Sequence, residues 1–435
     1  MKISLNLSSI GVRVIVFGLA LFFCLGLIGF ELQRFITSVA ASSSVAIDLS
    51  MLESAATYFP NSAKIQARLA ARMIESQLDG LQSHEALTEK AMRHATRAVE
   101  LAPANYEYHV LLSAAAELKG DQAEAEAALR EAVRLASNNV NVRWQMANLF
   151  LRLGKVEESL PEFRFVAQSE PRQLPNMLNL LWKATSGNLA TLEQIVGNDS
   201  AARLSFATFL TEQGRFETSA QVFTQIDRGN RLQSPETGRI FDAFLKADHW
   251  QWADRLWRDT MANVNEADNS QANNFLLWNG GFEHSPRKGM AQFDWQLSNN
   301  NFARLTIHPG GRSGNKALRL AYLGIDTTRL EREAQHFVVL QPGQFYRLEF
   351  FAKPEKLVTD EAPQVAILRA DNRELIAASP AVSPANNDWQ MLTIDFAVPS
   401  DLAAVVVTIK QTPRYRYTEP TQGVIWFDDF SLKAQ

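Results

Sequence analysis

From about Ala46 to Ala262, small and aliphatic residues recur at i, i+3, i+4 and i+7, the spacing of amphipathic helices. Past Asn265 the period drops to two. Arg304-Leu-Thr-Ile-His308, Ala317-Leu-Arg-Leu-Ala-Tyr322, Phe337-Val-Val-Leu340 and Phe345–Ala352 alternate or run apolar over strand lengths. Val365–Leu368, Trp389–Phe396, Ala404–Lys410 and Val424–Phe427 continue the series. Turn residues separate them, as at Pro309-Gly-Gly311, Pro342-Gly343 and Asn386-Asn-Asp388, so the pattern predicts a β-sandwich or jelly roll. A third pattern precedes both: Val14–Phe30 is an unbroken apolar run of 17 residues.

The helical region carries an internal ruler. Ala98-Val-Glu-Leu-Ala-Pro-Ala-Asn105 returns as Ala132-Val-Arg-Leu-Ala-Ser-Asn-Asn139, and more loosely as Val166-Ala-Gln-Ser-Glu-Pro-Arg-Gln173, at steps of 34 residues. Gly120 and Gly154 are also 34 apart. Small residues at a helix crossing, with Pro or Asn at the exit turn, at this period are the tetratricopeptide (TPR) signature. The ruler breaks after Pro171, where Pro175, Gly187 and Gly197 punctuate short helices. It resumes with Gly214 and Asp248, again 34 apart. Five or six helix pairs follow, in a solenoid whose concave face is suited to a peptide or protein segment. Trp144, Trp182, Trp250, Trp252 and Trp257 serve either that face or, as the favoured reading, the packing between pairs. Glu124, Glu126, Glu157 and Glu158 fall on the solvated side of their helices.

The apolar run sits at the short end of what spans a bilayer. A cleaved signal peptide and an uncleaved anchor both account for it. Ser38-Val-Ala-Ala41 offers a small-residue cleavage site, but the run exceeds the usual signal-peptide core, which favours the anchor. Lys2 and Arg13 precede it, whereas Glu31 and Arg34 cancel after it, so the bulk of the chain is expected outside the cytoplasm. The expected layout is a tail at 1–11, a transmembrane span at 12–32, TPR-like repeats at 45–265, a linker at 266–277 and a sandwich at 278–435.

Composition narrows the field further. A formal charge of −4 without a basic run argues against nucleic acid. The single cysteine, Cys24, excludes an intrachain disulfide and cysteine-based zinc modules. None of the seven histidines falls in a metal-ligand spacing, and there is no nucleophile elbow or phosphate loop. His94 and His109 lie on repeat helices, where a packing role is the default. Asp428 and Asp429, as neighbours on a strand, are expected to face opposite ways and not to converge on one bond. No enzymatic activity is expected.

Within the C-terminal third, several phrases carry a family resemblance. They are Asn279-Gly-Gly-Phe-Glu283, Phe293-Asp-Trp295, Gly314 ahead of Ala317-Leu-Arg-Leu320, and Pro342-Gly with Tyr346-Arg-Leu-Glu-Phe350. Asp388-Trp389, Phe396-Ala-Val-Pro399 and Trp426-Phe-Asp-Asp-Phe-Ser-Leu432 complete the set. From Trp278 to Lys433 the chain resembles the galactose-binding-like jelly rolls of carbohydrate-binding module families 4 and 9. With the anchor and the repeats, it is similar to bacterial membrane TPR proteins associated with exopolysaccharide or O-antigen assembly. The resemblance implies a structural Ca²⁺ held by Glu283 and Asp429, an oxygen-only set suited to a hard cation; a metal-free pairing of Glu283 with an arginine is the alternative. It also implies glycan contact by aromatic platforms, for which Tyr415, Tyr417, Trp295 and Trp389 are available. Trp295 and Trp389 also fit the module's core framework. The expected function is a scaffold whose solenoid binds a protein of the polysaccharide machinery and whose jelly roll contacts glycan; the alternative is an envelope interaction module that binds no saccharide.

Overall fold

The computed structural model describes residues 48–78, 85–262, 276–324, 330–385, 387–411 and 420–435. The expected span at 12–32, with Cys24, lies outside the described residues. Among those that are described, no helix is long and apolar enough to cross a membrane. The chain divides into two compact units between Val196 and Gly197.

The described part of the first unit is helical: α1 (Leu49–Tyr58), α2 (Ala63–Leu78), α3 (Glu85–Leu101), α4 (Tyr106–Lys119), α5 (Gln122–Leu135), α6 (Val140–Arg152), α7 (Val156–Ser169), α8 (Leu174–Ala184) and α9 (Leu189–Val196). The repeated phrase sets the helix ends. Asn105 and Asn139 are N-caps whose side chains accept from the N–H groups of Glu107 and of Asn141 and Val142. Gly120 and Gly154 take left-handed φ of 82° and 73° just past α4 and α6, a turn that side chains resist. Ala116, Ala125 and Ala132 are buried together with Met146 and Leu149, so small residues let successive helices approach closely. The ruler breaks at a 3₁₀ turn, Pro171–Gln173, because Gln173 is itself helical and offers no capping bond to α8. The tryptophans divide: Trp144 and Trp182 are half-buried, and Trp144 meets Phe163 edge-on.

The second unit contains both the remaining helices and the sandwich. Helices α10 (Ser200–Glu212), α11 (Phe216–Thr224), α12 (Arg228–Gln233), α13 (Pro235–Lys246) and α14 (Trp250–Met261) come first. Asp248 adopts φ 60° where Gly214 has φ 69°, the short aspartate standing in for glycine at the same turn. The change of period near Asn265 is therefore a change of element within one compact unit.

Among the described residues ten strands follow: β1 (Gln296–Leu297), β2 (Ala303–Pro309), β3 (Lys316–Leu323), β4 (Ala334–Val339), β5 (Phe345–Val358), β6 (Gln364–Arg369), β7 (Leu375–Ala378), β8 (Gln390–Ala397), β9 (Ala404–Lys410) and β10 (Gln422–Ala434). They form two five-stranded sheets, in the orders β1-β4-β9-β6-β7 and β2-β3-β10-β5-β8, with antiparallel pairing throughout. Their inward faces build one core, with Leu318, Leu348, Phe350, Val405, Val407, Ile425 and Phe427 at its centre.

Candidate binding surfaces

On α4 and α6 the ruler produces a surface. A recess of about 310 Å³ is lined by Val110, Ala114 and Glu117 from α4 and by Trp144, Asn148 and Arg152 from α6. Val110 and Trp144 each stand ten residues before their turn glycine, and Ala114 and Asn148 six before it. Successive repeats therefore bring the same positions to one face. Arg152 holds Glu117 through two hydrogen bonds of 2.8 and 2.9 Å, and Asn148 donates to the Trp144 carbonyl at 2.8 Å. Other acids of these helices are surface ion-pair partners, as expected. Glu126 bonds Arg130 and Lys155, and Glu158 meets Arg130 at 3.0 Å. His94 and His109 bond Gln66 and the Pro103 carbonyl, which fits the packing role.

In the last repeat the corresponding positions are Gly238, ten before Asp248, and Asp242, six before it. There the face is filled by the chain's own loop preceding β1. A Cβ on Gly238 would stand 2.1 Å from the Gly289 carbonyl oxygen, so the loop backbone lies directly on the helix. Gln292 Nε2 donates to Asp242 Oδ1 at 2.9 Å, Arg287 reaches the Leu232 carbonyl, and Trp257 Nε1 donates to the Met290 carbonyl at 2.7 Å. Trp257 is fully buried between Trp278 and Phe293, with ring centroids at 5.4 and 5.8 Å. Trp250 packs on Phe337, whereas Trp252 stays partly exposed beneath Arg255.

The expected metal residues sit around the β2–β3 turn. Glu283 Oε1 accepts from the backbone N–H groups of Asn315 and Lys316, each at 2.9 Å. Asp429 accepts from the Arg312 guanidinium and the Ser313 hydroxyl, while Asp428 Oδ2 accepts from the backbone of Arg312 at 2.7 Å. Here the alternation expectation fails. A bulge in β10 between Asp428 and Ser431, with Asp429 at φ 54°, turns both carboxylates onto the same turn. Arg312 also lies 3.5 Å from the centroid of the Phe351 ring. Burial pushes Asp428 up to about 6, and the charge of Asp429 adds to the effect. These oxygens are directed at N–H and O–H donors, and among the described residues no group of three or more His, Cys, Asp or Glu side chains is placed to hold a metal ion. In this arrangement Glu283 and Asp429 do not fit a calcium cage; the arginine sits where the resemblance puts a cation, though its partner is Asp429 and not Glu283.

Of the expected glycan platforms, Tyr415 and Tyr417 lie outside the described residues. Trp295 is wholly buried against Phe282 and Phe430, with Nε1 donating to the Asn279 carbonyl, so its ring faces are closed to a sugar. That corrects its assignment as a glycan contact. Trp389 is half-buried beside β8. Sequence reasoning passed over the outer face of the second sheet. Trp426 stands there, half-buried, 5.6 Å from His308, with Nε1 donating to Glu355 at 3.1 Å. Phe351 pairs across the ladder with Met391, which is 59% exposed. The alternation of Val424 and Trp426 against Ile425 and Phe427 was the available signal. On the first sheet, Phe337 forms a small outer apolar patch with Ala366, Leu368 and Val406, and is covered by Trp250 and Phe293.

Two titrating groups are built into the sandwich near its junction with the helices. Burial pushes Asp294 up to about 6 against the hydrogen bonds it accepts from Trp295 N–H and Asn279. Burial likewise drives His336 down to about 4, although both ring nitrogens face backbone carbonyls.

No family model matches the chain, and no curated protein matches it. Similar parts occur in solved structures. A protein described under "CBM4 structure and function" is 20% identical over 37% of this chain and 99% of its own, with a TM-score of 0.28. YrrB, "a TPR protein with an unusual peptide-binding site", is 14% identical over 49% of this chain and 92% of its own, with a TM-score of 0.24. MamA is 12% identical over 41% of this chain and 83% of its own, with a TM-score of 0.26.

Proposed function

We propose that this chain is a non-catalytic, membrane-anchored adaptor in extracellular polysaccharide assembly or export. The helical repeats hold a segment of a partner protein, and the sandwich contacts glycan. The observation that carries the first half is the loop on the final repeat. Gly238 and Asp242 receive a piece of polypeptide there, and their counterparts Val110, Ala114, Trp144 and Asn148 line an open recess. The same helix positions serve a second polypeptide, which would seat a side chain in the recess beside Val110 and Trp144 and hydrogen-bond to Asn148. Trp426, Phe351 and Met391 support the second half, since they give the outer face of the second sheet an aromatic and apolar surface flanked by hydrogen-bonding groups. The apolar run Val14–Phe30 supports the anchor, with the bulk of the chain on the far side of the inner membrane.

The test combines topology with capture. Protease added outside spheroplasts should digest the C-terminal bulk, and crosslinking should recover envelope partners that Trp144→Ala releases. An internal C-terminus, or exclusively cytoplasmic partners, would sink the proposal. A second reading, an envelope interaction module that binds no sugar, is favoured by the burial of Trp295 and the covering of Phe337. Calorimetric titration of the full chain with a panel of oligosaccharides separates the two, because saccharide binding of any kind rules out the second.

A further inference from the structure

Between the loop on the last repeat and the turn before β4 lies a recess of about 410 Å³, within the size range of ligand pockets. Its rim carries Arg287, Lys288 and Arg332, its wall includes Gln296, Leu297 and Ser298, and no carboxylate lines it. Among the described residues neither Lys288 nor Arg332 has a carboxylate partner. Glu333, beside Arg332, is spent elsewhere: its oxygens accept from Asn300 and from the backbone of Glu331 and Arg332. A fourth cation stands close by. Arg373 donates to the neutral Gln335 at 2.9 Å, and its pKa is held down by burial and then by the charge of Arg332. Like charges brought together oppose folding, and a concave site of one sign concentrates ions of the other.

The rim is also fixed in place. Arg287 is tied to the Leu232 carbonyl, the Gly289 carbonyl accepts from Gln292 and abuts Gly238, and the Met290 carbonyl accepts from Trp257. Arg287 and Lys288 are thus presented by a loop that the last helix pair holds, which reduces the ordering cost of binding.

We infer that this recess binds the carboxylates of an acidic polysaccharide, with Lys288 and Arg332 meeting the uronate groups and Gln296 and Ser298 the hydroxyls. The inference rests on the glycan-contact reading proposed above and names the class of glycan. Uronates supply what the lining asks for, an anion flanked by hydroxyls, and the guanidinium of Arg332 suits a carboxylate by two-point hydrogen bonding.

The experiment is calorimetric titration of the full chain with trigalacturonate and, in parallel, neutral galactotriose. The expected result is binding of the acidic trisaccharide at least about tenfold tighter than the neutral one, weakening as salt is raised. The double variant Lys288→Ala/Arg332→Ala should lose that margin without any fall in melting temperature. Equal affinity for the two sugars, or a double variant that binds trigalacturonate like the wild type, overturns the inference and leaves the glycan reading standing. If neither sugar binds, the inference falls, and the oligosaccharide panel described above decides the glycan reading. If phosphatidylglycerol vesicles bind and trigalacturonate does not, the recess serves a lipid headgroup, and the inference is again overturned.

Discussion

The first helices of the regular repeats and the first helix of the last repeat bring the same two positions to the same face, yet they end in opposite states. On α4 and α6 those positions hold Val110, Ala114, Trp144 and Asn148 around an open recess. On α13 they hold Gly238 and Asp242 beneath the chain's own loop. The difference is one of side-chain size and polarity at a shared address. Where a tryptophan stands, the face keeps a pocket; where a glycine stands, backbone can lie flat on helix.

This contrast can be attacked directly. The largest effect is expected from Gly238→Ala. The new methyl would meet the Gly289 carbonyl at 2.1 Å, so the loop must lift and take its hydrogen bonds with it. The second unit should lose about 4 kcal/mol in denaturant unfolding, while Val110→Ala at the matching position of the first unit should cost about 1 kcal/mol. Similar losses for both would dissolve the contrast.

Next comes pH. Asp294 has its pKa raised to about 6, so the folded state holds a proton that the unfolded state releases near its ordinary 3.8. Stability from this group is present at low pH and lost as pH rises through that window, on the order of 3 kcal/mol in full. Asn would accept the same two hydrogen bonds through Oδ1. Asp294→Asn should therefore match the wild type near pH 4 and exceed it near pH 7, a difference that thermal melts at the two pH values would measure. His336, depressed to about 4, acts with the opposite sign, losing stability as pH falls from 6.5, so the variant and not the wild-type profile isolates Asp294. Trp257→Phe comes third. It leaves the Met290 carbonyl buried without its indole donor and should cost about 2 kcal/mol. Hydrogen exchange should localise the loss to the loop before β1. The smallest effect is expected from calcium. With Arg312 already on Asp429, calcium and chelator should leave the melting temperature of the second unit unchanged to within about 1 °C. A calcium-dependent rise would mean that a cation displaces the arginine.

Most of the architecture was legible because it is local. All eight expected strands are present, since alternation is written into each run. The two that escaped, β1 of two residues and β7 of four, are too short to display a period. The repeat caps were legible because Asn105, Asn139 and the glycines recur on the ruler. The sites were harder to read because they depend on non-local contacts. Asp428 and Asp429 converge only through a bulge, which the strand period cannot anticipate. Trp295 was open to a platform role as well as the core role that its framework phrase favours, and the packing of Phe282 and Phe430 on its faces places it in the core. Gly238 was the one written hint of the occupied repeat, a glycine inside a helix where its counterparts are Val110, Trp144 and Leu204. A glycine there costs helix stability and calls for a reason.

The loop on α13 has a consequence for how long such an array can grow. A stack of helix pairs has no natural end: its final pair presents the surface on which another would sit, and a second molecule can serve as well as another repeat. Here Trp278, Phe293 and Phe337 of the sandwich occupy the apolar side of α14, and the loop Arg287–Gln292 occupies the face of α13. The β-module thus covers the surface on which a further helix pair would stack. A second molecule that stacked on the end of the array would have to displace these contacts first.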